Sequence, residues 1–130
     1  MPSDGARRQP EPRAKRTPMA FDEKLADRVR RLLKGKRGVS ERRMFGGLAF
    51  MLRDKMCCGV LNDDLVARIG VENYGKALKE AHVRPMDFTG RPLKGYVYIG
   101  KDATRTDRGL QRWVQRSVDF TASLKVKRLR

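Results

Sequence analysis

The stretch Met44-Phe45-Gly46-Gly47-Leu48-Ala49-Phe50-Met51-Leu52 decides the fold, together with Met56-Cys57-Cys58-Gly59-Val60-Leu61 after a short polar break. It is the longest nearly uncharged apolar run in a chain that is 35% charged. Aromatic, β-branched and sulfur-bearing residues fill it and turn-forming residues bound it, so it reads as the middle of an antiparallel sheet. Residues 42–45 and 48–53 read as strand, interrupted by Gly46-Gly47. A glycine pair inside a strand marks a bulge or a close backbone approach. Its competing use, a cradle for an anion, needs glycines leading into a helix N-terminus, and strand-like residues follow here.

Residues 53–55 form a turn, residues 56–61 the next strand, and Asn62-Asp63 a two-residue hairpin loop, because both residue types tolerate positive φ. Residues 65–69 are the third strand, with Leu65, Ala67 and Ile69 on one face and Val66 and Arg68 on the other. Alternation also sends Ala49, Met51, Cys57 and Val66 to the face opposite Phe50, Cys58 and Leu65. Both faces are therefore expected to be apolar and to need cover. A homodimer is one way to supply it, and Met44, Met51 and Met56 serve either as core filler or as an adaptable partner surface.

Before this stretch, Phe21, Leu25, Val29, Leu32 and Leu33 recur at helical spacing, with Asp22 as N-cap and Gly35 as stop. After it, Tyr74, Ala77, Leu78 and Ala81 predict a second helix, with His82 near its end. Residues 83–95 read as two extended pieces around a tight turn, since each proline pushes the arginine before it out of helix. Residues 96–99 are a strand by composition. Thr104 and Asp107 have capping-box-like spacing, and Leu110, Trp113, Val114 and Ser117 continue a third helix that Trp113 anchors. The fold class is α+β, an antiparallel sheet of about five strands with three helices in the order α-β-β-β-α-β-β-α.

One domain is expected from 130 residues, folding over 19–124 between a disordered basic tail at 1–18 and a basic tail at 125–130. Met19 is an alternative start. No apolar leader or membrane-length run is present, and two adjacent cysteines make no disulfide framework, so the cytoplasm is the expected location. The formal net charge is +16, from 31 Lys+Arg against 15 Asp+Glu. Such an excess attracts polyanions, although a solvated surface accounts for it equally well. The candidate nucleic-acid contacts are Lys34, Lys36, Arg37, Arg42 and Arg43, with Lys125, Lys127 and Arg128 in the tail. Aromatic residues are only 7% of the chain, which leaves no evident base-stacking platform. Binding of this kind would be to phosphate and steeply salt-dependent.

Chemistry is sparse. On a regular strand Cys57 and Cys58 point to opposite faces, and buried cysteines behave as small hydrophobes. A redox or metal role needs further ligands that the lone His82 does not supply. Asp54, Asp63, Asp64 and Asp87 sit where aspartate serves turns. With no nucleophile–base pair and one histidine, catalytic, cofactor and metal residues are all read as none, and an enzyme of small molecules is the least supported class.

The combination of Met44-Phe45-Gly46-Gly47 with Met86-Asp87-Phe88-Thr89-Gly90-Arg91-Pro92 and the closing Trp113 helix resembles the TfoX N-terminal domain family. The resemblance covers roughly residues 19–124. It implies an α/β fold related to secretion-chaperone-like folds, and regulators that act with a transcription factor on competence promoters. The two-domain regulators carry a separate C-terminal helical domain. This chain ends where that domain would begin, so a stand-alone single-domain member is expected. No catalytic residues are carried over, and a protein partner is the implied mode of action.

Overall fold

A computed structural model describes residues 21–44, 46–87 and 90–124. The expected basic tails, with Lys125, Lys127 and Arg128, lie outside the described residues, as do Phe45, Phe88 and Thr89. Helix α1 spans Glu23–Leu33. The Asp22 carboxylate caps it, accepting from the Lys24 and Leu25 amides at 2.9 and 3.1 Å, which satisfies donors that the first turn leaves unpaired. Gly35 follows the Lys34 cap at φ +89°.

Four strands come next, β1 Val39–Met44, β2 Gly47–Leu52, β3 Lys55–Leu61 and β4 Asp64–Arg68. The glycine pair is thus not a bulge within one strand. Met44 pairs with Gly47, so only two residues join β1 to β2, and Gly46 there has φ +77°. Such a loop needs positive φ to match the twist of the strands it joins. The sheet gains a strand and has six in all, in the order β1-β2-β3-β4-β6-β5. The elements after β4 are α2 Val71–Leu78, β5 Val83–Pro85, β6 Tyr96–Ile99, a one-turn α3 Lys101–Thr104 and α4 Asp107–Ser123. Every strand pair is antiparallel. The cap of α4 is Thr106, whose hydroxyl accepts from the Gly109 amide at 3.0 Å. Thr104 instead closes α3 and is buried.

The helices share one face of the sheet. Leu25, Val29, Leu33, Ala77, Leu110, Trp113, Val114 and Val118 pack there against Leu48, Phe50, Leu65, Ala67, Ile69, Val97 and Ile99. The other face carries a smaller cluster of Leu61, Val66 and Met86, edged by Met56, Tyr96 and Tyr98. Both faces are apolar, as alternation requires, but the second is closed by methionine and tyrosine side chains of the sheet and its connections.

The β2–β3 turn, Arg53-Asp54, holds both residues at positive φ, +53° and +69°. Neither is a glycine, and side chains with a Cβ resist that region. Asp54→Gly is therefore expected to raise stability by about 0.5–1 kcal/mol, read as a higher urea midpoint at unchanged slope.

Candidate interaction surface

The two motif stretches meet in space. Met44, Gly47 and Met86 line one gap of about 10 Å³ on the helix-free face. That is at the lower limit for a single water and holds no ligand, so Met44, Gly47 and Met86 are packing parts. Asp87 serves the β5–β6 connection, its carbonyl accepting from Gly90 at 2.8 Å, while the Met86 carbonyl accepts from Leu93 at 2.8 Å. Gly90, Arg91 and Pro92 are exposed there.

The cysteines depart from strict alternation. Phe50 pairs with Cys58 and Met51 with Met56, so Cys57 is an extra residue in β3. A bulge of this kind breaks the two-residue period, and both thiols join the helix-side core, at 2% and 0% exposure. A hydrogen bond from Cys58 holds the Cys57 thiol below its ordinary value, aided by Thr121 and opposed by burial. The same pairing, with burial, pushes Cys58 up. Burial controls access whatever the thiolate fraction. Both thiols are expected to resist alkylation in the native protein and to react fully in denaturant; rapid native labelling of either would contradict this packing.

His82 is exposed and lies at φ +67° where the chain enters β5. Its carbonyl accepts from the Gly100 amide at 2.8 Å. Among the described residues no group of three or more His, Cys, Asp or Glu side chains is placed to hold a metal ion. A cleft of about 710 Å³ runs between the start of α2 and the end of α4 and is lined by Gly70, Glu72, Asn73, Arg116, Asp119 and Phe120 among others. Arg116 there is committed to Glu80 at 2.9 Å, and Asp119 accepts from the Gln115 side-chain amide at 2.8 Å. Among the described residues no helix is long and apolar enough to cross a membrane.

The remaining feature is the α1–β1 corner. Lys34 caps α1, Lys36 and Arg37 occupy the connection, and Arg42 and Arg43 lie in β1, all of them exposed. Register places the two arginines on opposite faces. Arg43, opposite Leu48, is on the helix side and stacks over Phe21 at 5.5 Å, while Arg42 lies opposite Ala49. The basic run therefore wraps around the sheet's edge instead of forming one flat patch, because successive residues of a strand face opposite ways. Among the described residues none of these five cations has a carboxylate partner. Arg30 is different, since it is bound to both Asp27 and Glu41, the latter at 2.9 Å. Hydrogen bonding to Arg30 holds the Glu41 carboxyl below the usual carboxylate range. A cleft of about 530 Å³ opens beside β1, floored by Leu33, Val39 and Phe50 and rimmed by Arg31, Lys34 and Lys36. Nine of the sixteen net positive charges lie within 21–124 and the rest in the two tails.

No curated protein and no solved structure matches the chain. The sequence model of the TfoX N-terminal domain family matches residues 31–121, from within α1 through all six strands and most of α4. A match of that extent, over the elements that build the sheet and its helix layer, makes this chain a member of the TfoX N-terminal domain family.

Proposed function

We propose that this chain is a non-enzymatic interaction module of transcriptional regulation, acting in the cytoplasm by docking onto another protein, with a transcription factor as the partner class. The exposed corner at β1 carries the reading: Lys34, Lys36, Arg37, Arg42 and Arg43 have no carboxylate partner among the described residues, whereas Met44, Gly47, Met86 and the two thiols are spent on packing. Family membership supports the regulatory setting, because the resemblance implies action through a transcription factor. Affinity capture from a native lysate, with the tagged full chain as bait and mass spectrometry as readout, is expected to return a specific regulatory protein. Recovery of none above the background of a tag control would defeat the reading.

One observation favours a second reading, direct electrostatic binding of nucleic acid. Lys34, Lys36, Arg37, Arg42 and Arg43 stand together without carboxylate partners among the described residues. In that case affinity for a labelled duplex falls steeply and linearly in log–log form with salt, and Arg42→Gln reduces the slope by about 1.

A further inference from the structure

We infer that β1 is a docking edge that accepts an extended, acidic segment of a partner protein as a seventh strand. This rests on the interaction-module reading above and names its surface and the chemistry it selects.

The helix layer stops short of this edge. Helix α4 lies over β2, β3 and β4, and α1 over β3, so α1 reaches β1 mainly through Arg30 on Glu41. Among the described residues β1 pairs only with β2. The register shows which groups remain open. The Arg53 amide donates to the Gly38 carbonyl at 2.9 Å, and Val39 lies opposite Leu52. This makes Val39–Leu52 a non-hydrogen-bonded pair, as the two-residue loop at the other end also requires. Val39, Glu41 and Arg43 therefore turn their N–H and C=O groups away from β2. The other edge, β5, is only three residues long and includes Pro85, a poor template for pairing.

An open edge offers donors and acceptors in alternation. A peptide strand matches both, as in other strand-addition complexes. A phosphate backbone only accepts, so the carbonyls of Val39, Glu41 and Arg43 would repel it. Charge then selects among peptides. The side chains flanking the edge are Arg42 on one face and Arg43 on the other, with Lys36 and Arg37 at the Val39 end, while Glu41 is held by Arg30. Opposite charges stabilise cross-strand pairs and like charges oppose them. A second copy is the competing occupant. Of the two registers that overlap most of β1 and keep both helix layers on one side, one places Glu41 opposite Glu41, and the other places Arg42 opposite Arg42 but also Glu41 opposite Arg43 twice, so a dimeric mass for the free chain at micromolar concentration would overturn the inference. The chain's own ends fit badly, because residues 1–20 hold five Lys/Arg against two acids and residues 125–130 hold four Lys/Arg and no acid.

The test uses the full chain and two labelled ten-residue peptides of equal charge, one alternating glutamate with valine and one alternating glutamate with proline. Proline has no N–H and cannot complete a ladder. At about 150 mM salt, where surface charges are screened, fluorescence anisotropy is expected to show the glutamate–valine peptide binding about tenfold more tightly. The Arg42→Glu/Arg43→Glu variant is expected to lose about tenfold for that peptide. Saturating peptide is expected to slow amide exchange at Glu41 and Arg43 about tenfold, a readout that needs no variant to fold. Equal affinity for the two peptides, unchanged exchange at Glu41 and Arg43, or displacement of the peptide by a tighter-binding single-stranded DNA would each overturn the inference. Capture of the same regulator by wild type and charge-reversed chains would remove this surface and leave the module reading standing. Failure of wild-type capture alongside protection at Glu41 and Arg43 would instead sink that reading.

Discussion

Trp113→Ala is expected to cost about 3–5 kcal/mol, the range for emptying a buried aromatic site. Trp113 is 2% exposed and sits at the centre of the helix-side core. It also organises charge. The guanidiniums of Arg112 and Arg116 lie over its ring at 5.1 and 4.1 Å, and both bind Glu80, at 2.6 and 2.9 Å. The indole thus supports the clamp that ties the end of α2 to α4, as well as filling volume. Burial pushes the Glu80 carboxyl up, and the bonds from Arg112 and Arg116 outweigh it, for a net lowering. A domain of this size has about 5–15 kcal/mol in total, so the loss takes a large share. Urea unfolding followed by far-ultraviolet circular dichroism is the measurement, since the variant has no tryptophan to report. Trp113→Phe keeps a ring in the site and should lose clearly less. A cost below about 1 kcal/mol for the alanine variant, the scale of an ordinary surface change, would mean that α4 is anchored elsewhere.

The second large effect is at Gly47, where alanine is expected to cost about 3 kcal/mol, the upper part of the overpacking range. A Cβ there would lie 2.3 Å from the Val60 carbonyl oxygen and 3.2 Å from the Leu61 Cα. Both are backbone atoms of β3, so no side chain can swing aside, and the β2–β3 pair has to part. Gly75 supplies the contrast. It lies within α2, and a methyl group added there would meet nothing within 4 Å. Gly75→Ala should therefore stabilise by about 0.5–1 kcal/mol through helix propensity. The same substitution then has opposite signs at two glycines. If Gly47→Ala were neutral, the close approach of β2 and β3 would be wrong.

Much of this is legible in the letters. Helix α1, with its Asp22 cap and Gly35 stop, follows from spacing and local hydrogen-bond chemistry. The Asn62-Asp63 loop, with Asn62 at φ +54°, follows from turn chemistry, and the inward row of Leu65, Ala67 and Ile69 from alternation. Three things are not legible. Glycines serve bulges and tight loops for the same conformational reason, so Gly46-Gly47 is ambiguous until the register of Met44 on Gly47 is known. The bulge at Cys57 carries no glycine or other marker, and alternation therefore places that thiol on the wrong face. The one-turn α3 is too short for any period, and it moves the α4 cap from Thr104 to Thr106. The candidate cations are visible as a run. Their division between two faces is ordinary alternation, but their place on an open edge depends on the tight turn between β1 and β2, which the letters alone do not separate from a bulge.

Amide hydrogen exchange in the free protein tests the central claim, that β1 is an uncovered edge, most directly. Ser40 and Arg42 donate into the β1–β2 ladder and should exchange slowly, whereas Glu41 and Arg43 point outward and should exchange at nearly the rate of an open chain, giving a strict alternation along one strand. Slow exchange at all four amides in the unliganded chain would show the edge already occupied, and the docking account would fail.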